Sequence, residues 1–289
     1  MIENNKEETK KDVADNQKEE ELLSDKIINM DDLSPKSKQK IIFFVIFCIL
    51  IIIIIITLII VFSLKEKSEE IEPPLIINAT SGNHTHTIIF MPGYSNTPED
   101  FKKIFTQKIN FTKKNDTTII ILRSPLVDVS ISHNKNYSWF DIYSFPLENY
   151  SCFNFEDLKK SAKVLEKVID SEANVLNGRY DRIIIGGHSQ GACISLYEGY
   201  MSDKNILGIF AFSGVLPEGE VKDSKKNLQT YFGYGDNDDV ILPSFISQSI
   251  ERIENFTGFH KYVYKNHKHY VNRNETNDAA AFIENITNI

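Results

Sequence analysis

Twenty-two consecutive residues, Ile41 to Phe62, carry no charge, and Thr57 is their only clearly polar side chain. A core helix of a soluble protein would show charge on one face. At about 1.5 Å of rise per residue this run forms a helix roughly 33 Å long, enough to cross a hydrocarbon core of about 30 Å. It is too long for the apolar region of a signal peptide and starts too far from Met1. A transmembrane helix over 41–62 is therefore expected. It divides the chain into an N-terminal tail over 1–40, the span, a linker over 63–86 and a domain over 87–289.

The tail mixes EE, KK and KEEE runs with almost no aromatic residues. Such a composition cannot bury enough surface to offset its ordering entropy, so disorder is expected. Lys36, Lys38 and Lys40 abut the span with no acid after Asp32, whereas Lys65 and Lys67 on the other side are followed by Glu69, Glu70 and Glu72. This bias favours a cytoplasmic N-terminus. Nine Asn-x-Ser/Thr sequons, at Asn78, Asn83, Asn110, Asn115, Asn136, Asn149, Asn255, Asn274 and Asn285, all follow the span. Composition alone would supply about three. Both signals place the large domain in a lumen or outside the cell, with some sequons used as glycosylation sites. A glycan at Asn136 would crowd the nearby Ser-Trp-Phe-Asp segment. Cys48 lies in the span, which leaves Cys152 and Cys193, expected as free structural thiols. A net charge of −8, with no basic stripe, argues against nucleic acid as a partner.

Beyond Thr87, short β-branched runs alternate with longer amphipathic stretches, the pattern of an α/β fold around a largely parallel sheet covered by helices. Strands are expected at Thr87–Met91, Thr118–Leu122, Arg182–Ile185, Leu207–Phe212, Thr230–Tyr234 and Lys261–Tyr264. Several are apolar on both faces, as strands covered on both sides must be. Leu158, Leu165, Val168, Ile169, Ala173 and Leu176 recur at helical spacing after Asn154, a good N-cap. Further helices are expected over Gln190–Met201, Pro243–Asn255 with proline at its first position, and Asn277–Ile286.

The segment Arg182 to Gly191 reads RIIIGGHSQG, a buried strand running into Gly-His-Ser-Gln-Gly with helix-compatible sequence behind it. This is the signature of a nucleophile elbow. Glycine stands two residues either side of Ser189 because strand and helix approach too closely there for a Cβ. A serine hydroxyl is a poor nucleophile until an imidazole takes its proton, and that imidazole needs a carboxylate to orient it. Both partners should follow Ser189, in the order acid then histidine. The acidic loop Gly235-Asp236-Asn237-Asp238-Asp239 and the pair His267 and His269 stand in that order.

These segments together resemble the acyl-protein thioesterase and lysophospholipase group, the phospholipase/carboxylesterase family of α/β hydrolases, over about Thr87 to Ile286. Ser138-Trp139-Phe140-Asp141-Ile142 resembles the family's Ser-Trp-Phe-Asp block, and Arg182 to Tyr197 its elbow. Leu207 to Pro217 (LGIFAFSGVLP) is similar to its Ser-Gly-x-Leu-Pro loop, and Gly235 to Pro243 to its acid loop. The resemblance implies an α/β-hydrolase fold, with Ser189 as nucleophile, Asp238 as acid and His269 as base. Asp239 remains a rival, since the loop has one residue more than usual before Pro243, and His267 is a weaker alternative base. His188 should leave the elbow in another direction. The resemblance further implies an oxyanion hole from the backbone amides of Tyr94 and Gln190. Here Pro92-Gly93 stands where the family has His-Gly, and Tyr94 where it has leucine.

The expected activity is hydrolysis of carboxylic esters or thioesters through an acyl-enzyme, with no metal or cofactor required. The substrate would carry an acyl chain on a lipid or a protein. Because S-acylated protein tails are cytosolic, the expected topology favours lipid or generic esters. A catalytically inactive protein that holds a lipid in the same pocket is the alternative.

Overall fold

The computed structural model describes residues 34–67 and 72–288. The first 33 residues of the tail read as disordered, and Glu69 and Glu70 of the charge bias, lie outside the described residues. Helix α1 (Pro35–Lys67) contains the whole apolar run and starts ahead of it, inside the stretch read as tail. Its large apolar side chains from Ile41 to Ile60 stand exposed. The described residues from Glu72 onward form a separate compact unit.

That unit is built on a seven-stranded sheet: β1 (Leu75–Ile77), β2 (His86–Met91), β3 (Thr117–Ile121), β6 (Ile183–His188), β7 (Gly208–Phe212), β8 (Gln229–Gly235) and β9 (Phe259–Tyr264), in the order β1-β3-β2-β6-β7-β8-β9. Every neighbouring pair is parallel except β1 with β3. The central strands bury both faces, and their residues alternate between two cores. Ile89, Met91, Ile183, Ile185, Ile209 and Ala211 join the core on one face; Ile88, Phe90, Ile184, Phe210 and Phe212 join the other. Each such side chain contributes about 1.5–3 kcal/mol on full burial. A hairpin of β4 (Leu126–Val129) and β5 (Asn134–Tyr137) stands apart from the sheet.

Helix α2 (Pro98–Lys103) follows β2 and starts in a capping box between Thr97 and Asp100. Helix α3 (Phe155–Val175) starts where Asn154 accepts hydrogen bonds from the amides of Glu156 and Asp157, and buries Leu158, Leu165, Ile169 and Ala173. Helix α4 (Gln190–Met201) follows the elbow, α5 (Pro243–Ile250) begins on its proline, and α6 (Arg273–Thr287) closes the chain.

Several boundaries differ from the sequence expectation. The α5 helix ends at Ile250 rather than Asn255, because Ile253 reaches the core from a turn, keeping the apolar spacing without the helical hydrogen bonds. The last helix starts at Arg273 rather than Asn277, because Asn272 and Glu275 form a reciprocal capping box. Strand β6 starts one residue later than Arg182 and continues through His188. Strand β1 lies within the stretch read as a linker.

All three cysteines are free, and Cys152 and Cys193 are buried. Burial pushes the Cys193 thiol up to about 12. On the same helix Glu198 is 5% exposed, and its Oε1 has no hydrogen-bond partner among the described residues. Burial pushes this carboxyl up to about 7, above its ordinary 4.5. The folded state therefore binds the proton more readily than the unfolded one, so stability falls as pH rises from about 4.5 to about 7. Glu198→Gln is expected to melt above wild type at pH 8, with the difference shrinking toward pH 4.5. Thermal unfolding in detergent at the two pH values checks this.

Candidate active site

The elbow forms because three backbones converge. A Cβ on Gly187 would lie 2.2 Å from the Gly191 carbonyl carbon, and one on Gly191 would lie 1.9 Å from the Met91 carbonyl oxygen. Neither position admits a side chain. Between them Ser189 sits at φ 56° and ψ −117°, a left-handed backbone that projects its side chain from the turn, and its amide donates to Phe212 O at 2.9 Å.

The loops at the carboxyl ends of β8 and β9 bring two more side chains to this serine. His269 Nε2 lies 2.8 Å from Ser189 Oγ, and His269 Nδ1 lies 2.7 Å from Asp238 Oδ2. The other oxygen of Asp238 accepts the amides of Val240 and Ile241, both at 2.9 Å. Asp238 is buried, whereas Asp239 points to solvent and pairs with Lys268 at 2.7 Å. That lysine holds the Asp239 carboxyl below its ordinary range. Of the two rival acids, the structure thus brings Asp238 to His269.

The rival histidine is spent elsewhere. His267 is buried, with Nε2 2.6 Å from Tyr270 O and 3.0 Å from Glu275 Oε2, and its carbonyl accepts the Asn237 amide at 3.0 Å. It joins the acid loop, the histidine loop and α6, a strut behind the site. His188 makes no hydrogen bond to Ser189, and neither of its ring nitrogens has a partner among the described residues. Burial, aided by neighbouring His269, pushes it down to about 3, so it stays neutral. Its ring lies 5.0 Å from that of His269.

The backbone amides of Tyr94 and Gln190 donate to no protein group among the described residues. The Ser-Trp-Phe-Asp segment holds both positions. Gln190 Oε1 accepts the Trp139 amide at 3.0 Å, and its Nε2 donates to Phe140 O at 2.8 Å. The Trp139 indole in turn donates to Pro92 O at 2.9 Å, fixing the end of β2 beside Gly93 and Tyr94. Asn136 Nδ2 donates to the Tyr94 hydroxyl at 3.0 Å. Sequence reasoning found these residues but not their joint role, since the bonds cross about 50 positions along the chain. Ser189 and His269 open onto a cleft of about 640 Å³ whose walls include Phe101, Ile104, Ile142, Phe145, Leu147 and Val271. A hydroxyl hydrogen-bonded to an oriented imidazole can be deprotonated as it attacks, and an apolar cleft of this size suits an acyl chain.

A parallel sheet with a serine elbow at its carboxyl edge defines an α/β hydrolase. Solved structures agree on the fold: acyl-protein thioesterase 2 of Zea mays superimposes with a TM-score of 0.59 at 17% identity, covering 74% of this chain and 98% of that one. Among curated proteins, acyl-protein thioesterase 1 of Schizosaccharomyces pombe is 34% identical over 144 residues, 50% of this chain and 61% of that protein. Acyl-protein thioesterase 1 of Debaryomyces hansenii is 27% identical over 233 residues, 75% of this chain and 98% of that protein. Residues 73–287 match the phospholipase/carboxylesterase family, and the chain belongs to it. It is a hydrolase of the ester/thioester class.

Proposed function

We propose that the chain is a membrane-anchored serine hydrolase that cleaves acyl esters or thioesters through Ser189. The observation that carries this reading is the unbroken line of hydrogen bonds from Asp238 through His269 to Ser189 beside an apolar cleft. Ser189 Oγ attacks the acyl carbonyl as His269 Nε2 takes its proton, and the amides of Tyr94 and Gln190 receive the oxyanion. Collapse of the intermediate expels an alcohol or thiol, which takes the proton from Nε2. Water then repeats the sequence on the acyl-enzyme and releases the carboxylic acid. Asp238 stays ionised and stabilises the imidazolium.

In this reading α1 crosses a membrane through Ile41–Phe62 with its N-terminus in the cytoplasm, and the hydrolase domain is lumenal or extracellular. The lysine bias and the sequons support that topology. Eight of the nine sequon asparagines are exposed, and the ninth, Asn136, is half-buried with its amide engaged by Tyr94 and Ser95. Esters of lipids are then more accessible substrates than cytosolic S-acyl proteins, although the named relatives are acyl-protein thioesterases.

The test is a panel of acyl thioesters, lysophospholipids and short esters offered to the full chain in detergent. Turnover of at least one class is expected, and its chain-length preference names the activity. No turnover of any of them by protein that circular dichroism shows to be folded would overturn the reading.

A further inference from the structure

The carboxyl ends of the parallel strands carry the catalytic loops, and their amino ends carry a second cavity, of about 540 Å³. Its walls include His84, Thr85 and His86 at the start of β2, Lys113 from a turn of 3₁₀ helix (Thr112–Asp116) ahead of β3, and Arg179 and Arg182 ahead of β6. It shares no residue with the cleft at Ser189. Among the described residues no acid lines it, and Leu176 is its one apolar wall.

The cations of this cavity are held in place without being neutralised. Arg182 Nη1 donates to His86 Nε2 at 2.9 Å, so the neutral imidazole carries its proton on Nδ1 and donates it to Thr85 Oγ1, also at 2.9 Å. His86 is 1% exposed, and burial, with Arg182 and then Lys113 beside it, pushes it down to about 4; Asp116 and Asp181 oppose this with smaller effects. A neutral ring fixes one edge of the guanidinium and leaves its charge uncancelled. Among the described residues neither Arg182 nor Lys113 forms an ion pair, and two of the acids nearby are engaged elsewhere. Asp181 pairs with Arg179 at 2.6 Å, and Glu172 accepts the Thr87 hydroxyl at 2.9 Å. The other guanidinium nitrogens of Arg182 have no partner among the described residues and are not sealed from solvent.

A guanidinium presented in this way offers a rigid fork to two oxygens of one anion. Two uncompensated positive charges, on Arg182 and Lys113, match the charge of about −1.5 to −2 that a phosphate group carries at pH 7, whereas a carboxylate would answer only one of them. The cavity has room for more than a phosphate, and Thr85 and Asn177 on its wall suit a remainder that bears hydroxyls.

We infer that this cavity is a phosphate-binding site separate from the catalytic cleft, taking phosphate either free or as the monoester of a small hydroxylated molecule. Arg182 grips the phosphate oxygens, Lys113 supplies the second charge, and His86 holds the guanidinium in position. The inference is independent of the hydrolase and membrane readings above.

Isothermal titration of the full chain in detergent, at constant ionic strength in chloride, would use three probes: inorganic phosphate, glucose 6-phosphate and glucose. Saturable binding of at least one phosphate with a Kd of about 1 mM or tighter is expected, with none for glucose. The tighter of the two phosphates tells whether the site takes the free ion or the ester. Lys113→Gln is expected to weaken that binding about tenfold, and Arg182→Gln by more, since each removes a charge-assisted bond. Arg182→Gln also takes the partner from buried His86, so Lys113→Gln, with its fold checked by circular dichroism, is the deciding variant. No saturable binding of either phosphate at about 10 mM, binding that Lys113→Gln leaves intact, or equal binding of glucose would overturn the inference.

Discussion

Ser189→Ala is expected to lower kcat/KM for the preferred ester about 10⁴-fold or more, the scale of triad knockouts. The loss should fall on kcat, because Oγ bonds to the reacting carbon and contributes little to holding the acyl chain along walls such as Phe101, Ile104 and Leu147. Thermal unfolding should barely change, since among the described residues the hydroxyl hydrogen-bonds only to His269. Single-turnover kinetics with a chromogenic ester separates the two parameters. A variant that kept more than about a tenth of wild-type activity would show that another group attacks the ester.

Asp238→Asn should cost about 10³- to 10⁴-fold, for a reason readable atom by atom. The amides of Val240 and Ile241 need an acceptor at Oδ1, so the carboxamide oxygen must stay there. Its NH₂ then faces His269 Nδ1, which must become an acceptor. The ring proton moves to Nε2, the atom that should receive the proton of Ser189. Asp239→Asn breaks the exposed pair with Lys268 and should change the rate less than about threefold. Comparing the two variants on one ester decides between neighbours that counting along the loop left open; the reverse ranking would transfer the acid role to Asp239.

The central strands were legible in the sequence because burial on both faces leaves uninterrupted runs such as Thr-Ile-Ile-Phe-Met and Arg-Ile-Ile-Ile. Helix α4 was legible to the residue because the elbow fixes its start at Gln190. Strand β1 was not, since three residues after Pro73-Pro74 carry too short a pattern and their pairing with β3 is a tertiary fact. The start of α6 was readable in principle, because Asn272 and Glu275 have capping-box spacing, but the apolar periodicity begins later. Around the site, the elbow was visible because its glycines answer to local crowding. The arrangement of Asp238 over Asp239, and of His269 over His267, was not visible from residue types. It depends on which carboxylate meets two backbone amides, and on Glu275 engaging one histidine from a helix.

The left-handed backbone of Ser189 has a consequence for how the chain can change over generations. A non-glycine residue held there costs of order 1–3 kcal/mol, so relief is one substitution away, in glycine. In evolutionary terms a change to glycine would relieve the backbone and remove the hydroxyl together, so on the proposed mechanism a gain in stability and a loss of activity would arrive in one step.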